Sequence, residues 1–206
     1  TCSPHGNHQD TPPYEVATQL WFDQHLKGSF VMPQTPELKL ALPEGKSPVA
    51  TILVDDSMEI EAMDVFYTQN GRMDGRKPDL ENVKHRFWRH APVSMHKGKP
   101  VARLRLSSAD KPLWAYANVR YRLEKPVSGA GYYYGEYTAR SFNLSSLMKT
   151  VSADELKKAG TVASLKPSLL IEDFKGDWKK EWFTYKVDKW GIKTHKPYSS
   201  VWTPPK

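Results

Sequence analysis

The stretch that decides the fold class runs Leu-Trp-Ala-Tyr-Ala-Asn-Val-Arg-Tyr-Arg-Leu from residue 113 to residue 123. Its small and apolar residues occupy every second position, and larger or polar side chains stand between them. Because successive side chains of a strand point to opposite faces of a sheet, this alternation predicts a β-strand with one face toward a core. Residues 100–107 repeat the pattern, with Arg103 and Arg105 between apolar positions.

Further strand-like segments surround this stretch. They are rich in Val, Ile, Tyr, Phe, Trp and Thr, which favour strands. They cover residues 48–56, 59–69, 85–95, 100–107, 113–124 and 132–150. Turn signals separate them, among them Asn70-Gly71 and the Ser-Gly-Ala-Gly of residues 128–131. Many short strands separated by turns predict a mainly β protein, an antiparallel β-sandwich of immunoglobulin-like or fibronectin-like type.

Two helices are predicted outside these strands. Residues 14–27 place apolar side chains at helical spacing, and Gly28 follows where a helix end favours a left-handed residue. Residues 152–155, Ser-Ala-Asp-Glu, match a capping box and predict a short helix over 154–159.

Composition excludes two classes of protein. With 206 residues, of which 39% are hydrophobic and 12% aromatic, the chain has enough apolar content for a core and is not globally disordered. No apolar run reaches the roughly 18 residues of a membrane-spanning helix, so no membrane span is expected.

The formal net charge is +7, so an anionic partner is worth considering. The basic residues are scattered, and two of the densest groups are the pairs Arg103/Arg105 and Arg120/Arg122. Their i, i+2 spacing places each pair on one face of a strand. This is typical of a solvated sheet face, and the alternative is a surface for an anionic polysaccharide or a nucleic acid.

The N-terminal residues contain a small cluster of possible ligands, formed by Cys2, His5, His8 and Asp10. Thiolate, imidazole and carboxylate groups are zinc ligands, but no second ligand pair follows at a suitable spacing. We therefore predict no metal site and no cofactor, which leaves exposed loop histidines or a catalytic histidine as the alternatives.

A catalytic histidine is implied by a family resemblance. Residues 21–28, Trp-Phe-Asp-Gln-His-Leu-Lys-Gly, resemble the closing helix of α/β-hydrolases of the acetyl-xylan-esterase, dienelactone-hydrolase and prolyl-oligopeptidase-like group. In that group an Asn-His precedes the helix, so the resemblance implies that His8 is the general base, with His5 as the second choice. The sequence contains no Gly-x-Ser-x-Gly nucleophile motif, so the chain is expected to lack the nucleophile.

The resemblance continues downstream in short motifs. Three of them are similar to the β-sandwich that follows the hydrolase domain in large secreted bacterial esterase-like proteins, including relatives of the PhoPQ-activated pathogenicity-related family. They lie at residues 65–67, 86–89 and 112–121. Residues 142–146 and 170–174 resemble the next junction, where a jelly-roll, carbohydrate-binding-like module begins.

The motif order implies three parts. Residues 1–28 would be the last loop and helix of an α/β-hydrolase domain, and residues 30–165 a β-sandwich domain. Residues 167–206 would be either a strand addition to the sandwich or the start of a further, jelly-roll-like β-module. The missing Met at position 1 and the missing signal peptide fit such a segment.

The last part is rich in tryptophan. Trp178, Trp182, Trp190 and Trp202 all fall in its final 29 residues. Indole rings stack on sugar rings and also fill cores, so both interpretations stay open. Trp178, Trp182 and Trp190 are the candidate substrate-binding residues.

Two functions follow. The leading hypothesis is the C-terminal segment of a secreted or periplasmic serine ester hydrolase, acting on acylated polysaccharide and partnered by the rest of the hydrolase domain. The alternative is a non-catalytic β-sandwich module that binds glycan or scaffolds a complex. Nucleic acid is not expected as a partner, because the basic residues form no contiguous stripe.

Overall fold

A computed structural model describes residues 12–70, 88–131 and 135–165 of the chain. The chain divides into two compact units, Thr1–Leu165 and Lys166–Lys206, and the described residues all lie in the first. The described strands are β1 (Glu37–Ala41), β2 (Val49–Leu53), β3 (Ile60–Thr68), β4 (Arg89–His96), β5 (Lys99–Arg103), β6 (Leu113–Gly131), β7 (Gly135–Ser145) and β8 (Lys149–Val151).

The strands pair only in antiparallel fashion within the described residues, in the order β1-β2-β5-β4-β3-β6-β7, and β8 also pairs with β6. The result is one curled sheet, so the prediction of a mainly β, antiparallel protein is confirmed.

Strand β4 changes partner halfway along its length. Its first half pairs with β3, from Arg89 opposite Tyr67 to Pro92 opposite Asp64. Its second half pairs with β5, beginning with Val93 opposite Ala102. Proline has no backbone N–H for a strand ladder, so Pro92 suits the point where one ladder ends and the other begins.

The alternation in β6 is confirmed on the face that carries Ala115, Ala117 and Val119, all fully buried. On the opposite face, Tyr116 and Asn118 are also only 2% exposed, although the alternation predicted an open face. The reason is tertiary: the rings of Phe66 and Trp88 lie against Tyr116, and Tyr14 from the N-terminal helix bonds to Asn118.

The turn predicted at residues 128–131 is wrong. These residues belong to β6 and pair with β7, ending with Gly131 opposite Gly135. Gly129 serves close packing, because a Cβ there would lie 2.9 Å from the hydroxyl oxygen of Tyr137 and would also clash with Gln19. Residues 132–134, between the two strands, lie outside the described part of the chain.

Both predicted helices are confirmed. Helix α1 (Pro12–Phe22) continues into a π-helical turn, Asp23–Lys27, which ends at Gly28 with a φ of +62°. Helix α2 (Ala153–Lys158) has the capping box, in which Ser152 and Glu155 bond reciprocally. The apolar face of α1 packs against β7 and β6 and joins the core of the sheet.

Candidate functional site

The site residues predicted from the sequence all lie outside the described residues. These are the catalytic candidate His8, its alternative His5, and the substrate-binding candidates Trp178, Trp182 and Trp190. Their roles stay predictions. The arginine pairs noted in the sequence do lie in the described part, and one of them forms part of a groove.

The groove opens where β4 leaves β5 to join β3. Upstream of Val93, β4 no longer pairs with the chain that follows Ala102, so a gap of about 690 Å³ separates the two. We call this gap the arginine groove. It is lined by Tyr67, Trp88, Arg89, His90, Ala91, Pro92, Ser94, Arg103, Arg105 and Leu165. Its volume lies within the range of small-ligand sites, about 300–1,000 Å³.

Arginines dominate the charge of the described lining residues. The described lining residues include three arginines and no carboxylate. Arg103 and Arg105 are exposed, and neither has an ion-pair partner in residues 12–70, 88–131 and 135–165. A planar guanidinium group can bind a carboxylate, sulfate or phosphate through two parallel hydrogen bonds.

The backbone that carries these arginines is fixed on both sides. The N–H of Leu104 donates to the carbonyl of Pro48 at 2.9 Å, and the carbonyl of Leu106 accepts from Leu165 N–H at 2.9 Å. Leu104 and Leu106 are fully buried, so the intervening Arg105 must point away from the core. The arginine side chains therefore project from a rigid segment into the groove.

Tyr67 bridges the gap beneath the groove. This residue lies on β3, and its hydroxyl donates to the carbonyl oxygen of Arg105 at 2.9 Å. Burial raises the pKa of Tyr67, while the positive charges of Arg89 and Arg105 act in the opposite direction. Both guanidinium groups are therefore near enough to act electrostatically on this one hydroxyl.

An aromatic series forms the other wall. The ring of Trp88 meets Tyr116 edge to face with centroids 4.9 Å apart, and Tyr116 stacks on Phe66 at 5.7 Å. Phe66 then contacts the His90 ring at 5.4 Å. The two ends of the series, Trp88 and His90, are also lining residues of the groove.

His90 is held by an acid. Its Nε2 lies 2.7 Å from Oδ1 of Asp64, and both side chains are partly exposed. The neighbouring Ser94 supplies a hydroxyl to the groove. The groove therefore combines guanidinium donors with a histidine–aspartate pair, a hydroxyl and one indole, a set of groups suited to holding an oxyanion and a polar ring.

Sequence reasoning found part of this groove. The spacing of Arg103 and Arg105 predicted a shared strand face, and an anionic polymer was one of the two interpretations. Tyr67, Trp88 and His90 were missed as site residues. The proline inside the predicted strand at position 92 was the available signal that β4 changes partner there.

The described residues contain neither a candidate metal cluster nor a helix able to cross a membrane. No group of three or more His, Cys, Asp or Glu side chains there could hold a metal ion. No helix in that part of the chain is long and apolar enough to cross a membrane.

Comparisons with protein-family models, with curated proteins and with solved structures find no match to the chain. The resemblance to α/β-hydrolases therefore stays a prediction.

Proposed function

We propose that the first unit, Thr1–Leu165, is a non-catalytic binding module whose arginine groove holds an anionic ligand. The observation that carries the proposal is that the described lining residues of this groove include Arg89, Arg103 and Arg105 and no carboxylate. The proposal develops the alternative hypothesis of a non-catalytic binding module.

Like charges in one groove repel each other, and a bound anion relieves that repulsion. A hydrogen bond to a charged group contributes about 1.5–3 kcal/mol. An anion that contacts two guanidinium groups would make two such charge-assisted hydrogen bonds, which favours anion binding in the groove.

The ester-hydrolase hypothesis is a separate proposal about a longer, secreted or periplasmic parent protein. It depends on His8, which lies outside the described residues. Loss of ester hydrolysis on His8→Ala in that parent, with folding intact, would support it. The immunoglobulin-like or fibronectin-like β-sandwich likewise stays a proposal, beyond the curled antiparallel sheet described above. The anion-binding proposal and the ester-hydrolase proposal are compatible, because a binding module can lie beside a hydrolase domain in one protein.

The proposal is tested by titrating the chain with inorganic sulfate and following backbone and arginine side-chain NMR signals. We expect the largest shifts at Arg103, Arg105 and their neighbours in the groove. Arg103→Gln should weaken sulfate binding about tenfold or more, because one charge-assisted contact is lost.

The matched control is Arg122→Gln, which removes the same charge from an arginine that pairs with Glu59 at 3.1 Å. We expect this variant to bind sulfate as the wild type does. Sulfate shifts scattered over the surface, or equal weakening in both variants, would show that the groove is not the binding site.

A further inference from the structure

The aromatic wall of the arginine groove is more rigid than an exposed tryptophan alone would be. Trp88 is partly buried, and its ring meets Tyr116 at an interplanar angle of 78°. Tyr116 is itself only 2% exposed and stacks on Phe66 with an interplanar angle of 29°. Because these rings hold Trp88 in place, a ligand that stacks on it loses little entropy in ordering the side chain.

We infer that the ligand of the arginine groove is an acidic glycan, with a sugar ring stacked on Trp88 and its carboxylate or sulfate groups bound by Arg103 and Arg105. This inference rests on the proposed function, because it names the chemical class of the anion. It also makes Trp88 the residue that determines specificity for a ring over a simple ion.

Stacking is favoured by the chemistry of both partners. The C–H face of a sugar ring is apolar, and an indole offers a large, rigid apolar surface with only two side-chain torsions. The arginines supply the charged contacts on the opposite wall, where the backbone of residues 104–106 is fixed by hydrogen bonds to Pro48 and Leu165. A ring carrying an acidic substituent matches both walls at once.

Hydroxyl recognition favours a glycan over a nucleic acid. Sugar hydroxyls both donate and accept hydrogen bonds, and the His90–Asp64 pair and Ser94 can meet both needs at the groove. Single-stranded nucleic acids use several successive aromatic platforms and a basic track, whereas Trp88 is the one tryptophan among the described lining residues.

The test is calorimetry on the full chain with two probes, tetragalacturonate and a sulfated galactan tetrasaccharide. We expect at least one of them to bind at least tenfold more tightly than inorganic sulfate. Trp88→Ala should weaken that probe tenfold or more and leave the sulfate affinity within twofold. Trp88→Phe keeps an aromatic ring against Tyr116, so its affinity for the tetrasaccharide should lie between those of the wild type and Trp88→Ala. This variant controls for a loss of binding caused by misfolding.

Two further probes fix the class of ligand. Maltotetraose has the rings without the charge, and pentathymidylate has four phosphates to match the four carboxylates of tetragalacturonate. We expect both to bind at least tenfold more weakly than the acidic tetrasaccharide. If pentathymidylate binds more tightly than the acidic tetrasaccharide, the glycan inference is overturned in favour of a nucleic-acid ligand.

Failure of the inference and failure of the proposed function give different results. If sulfate binds through Arg103 but neither tetrasaccharide binds, or Trp88→Ala leaves their affinity unchanged, the glycan inference is overturned and the anion site stands. If the wild type binds neither sulfate nor the tetrasaccharides, the proposed function itself is overturned.

Discussion

Two segments of the chain carry arginines with the same i, i+2 spacing, and the fold gives the two pairs different surroundings. Arg103 and Arg105 line the arginine groove without an ion-pair partner among the described residues. Arg122 pairs with Glu59, while Nε of Arg120 is buried and has no hydrogen-bond partner among the described residues. The first pair therefore has no described ion-pair partner, whereas the second has one arginine in an exposed ion pair and one with a buried Nε.

The difference arises from strand pairing. Strand β6 lies between β3 and β7, so Arg120 has Asn143 opposite it on the neighbouring strand. The segment with Arg103 and Arg105 loses its neighbour where β4 turns toward β3. Residue spacing thus predicts which face an arginine occupies, whereas the pairing of distant strands decides whether that face is open.

If the two arginine pairs differ because only Arg122 has an acidic partner, Glu59, then adding an acid to the groove should abolish the difference. Ser94→Glu places an acid among the lining residues, where it would pair with the arginines. We expect anion affinity to fall about 10–100-fold, the equivalent of one charge-assisted hydrogen bond. Ser94→Gln introduces a side chain of the same size as glutamate but without its charge. This variant should change the sulfate affinity by less than about threefold, as measured by titration. Equal effects of the two variants would contradict an electrostatic site.

The burial of β6 can be tested at Tyr121, which lies between Arg120 and Arg122 in the sequence and is fully buried. Burial, and then the Asp55 carboxylate, raise the pKa of Tyr121 to about 12. The unfolded chain ionises near pH 10 while the folded chain keeps the proton, so this group's contribution to stability is lost as the pH rises from about 10 to about 12.

Tyr121→Phe removes that loss. We expect the free energy of unfolding of the variant, relative to wild type, to rise by about 1–2 kcal/mol between about pH 9 and about pH 11.5. Denaturant unfolding at each pH measures it, and anion binding at neutral pH should be unchanged. A stability difference that does not vary with pH would contradict the raised pKa.

A smaller effect is expected at Arg120. Because its buried Nε has no partner in the described part of the chain, Arg120→Met keeps the packing and removes an unsatisfied donor. We expect the free energy of unfolding to stay level or to rise by about 1 kcal/mol, with anion binding intact. Arg103→Met, by contrast, should leave the free energy of unfolding within about 0.5 kcal/mol of the wild type and should weaken anion binding. Destabilisation by Arg120→Met would mean that this guanidinium has a partner in solution.

The local features were predictable from the sequence. The alternation around Arg103 and Arg105, the capping box at Ser152 and the left-handed Gly28 each depend on a few neighbouring residues, and all three are observed. Strand β1 was missed, because five residues, Glu37–Ala41, are too short a run to stand out among the surrounding prolines.

The arginine groove depends on contacts that local patterns do not encode. The bond from Tyr67 to the Arg105 carbonyl spans 38 residues of sequence. Gly129 looked like a turn residue, and its actual role is to make room for Gln19 and Tyr137. In both cases the deciding partner comes from a distant segment, so spacing alone could not identify it.

The most direct test of the account compares two charge-matched variants. Arg103→Gln/Arg105→Gln and Arg120→Gln/Arg122→Gln each lower the formal net charge of +7 by two. Their sulfate affinities are measured at one ionic strength, after thermal unfolding has shown that both are folded. We predict that the first variant loses at least about 100-fold, the equivalent of two charge-assisted contacts, and the second less than about threefold. Equal losses in the two variants would contradict the account, because binding would then follow net charge and not the arginine groove.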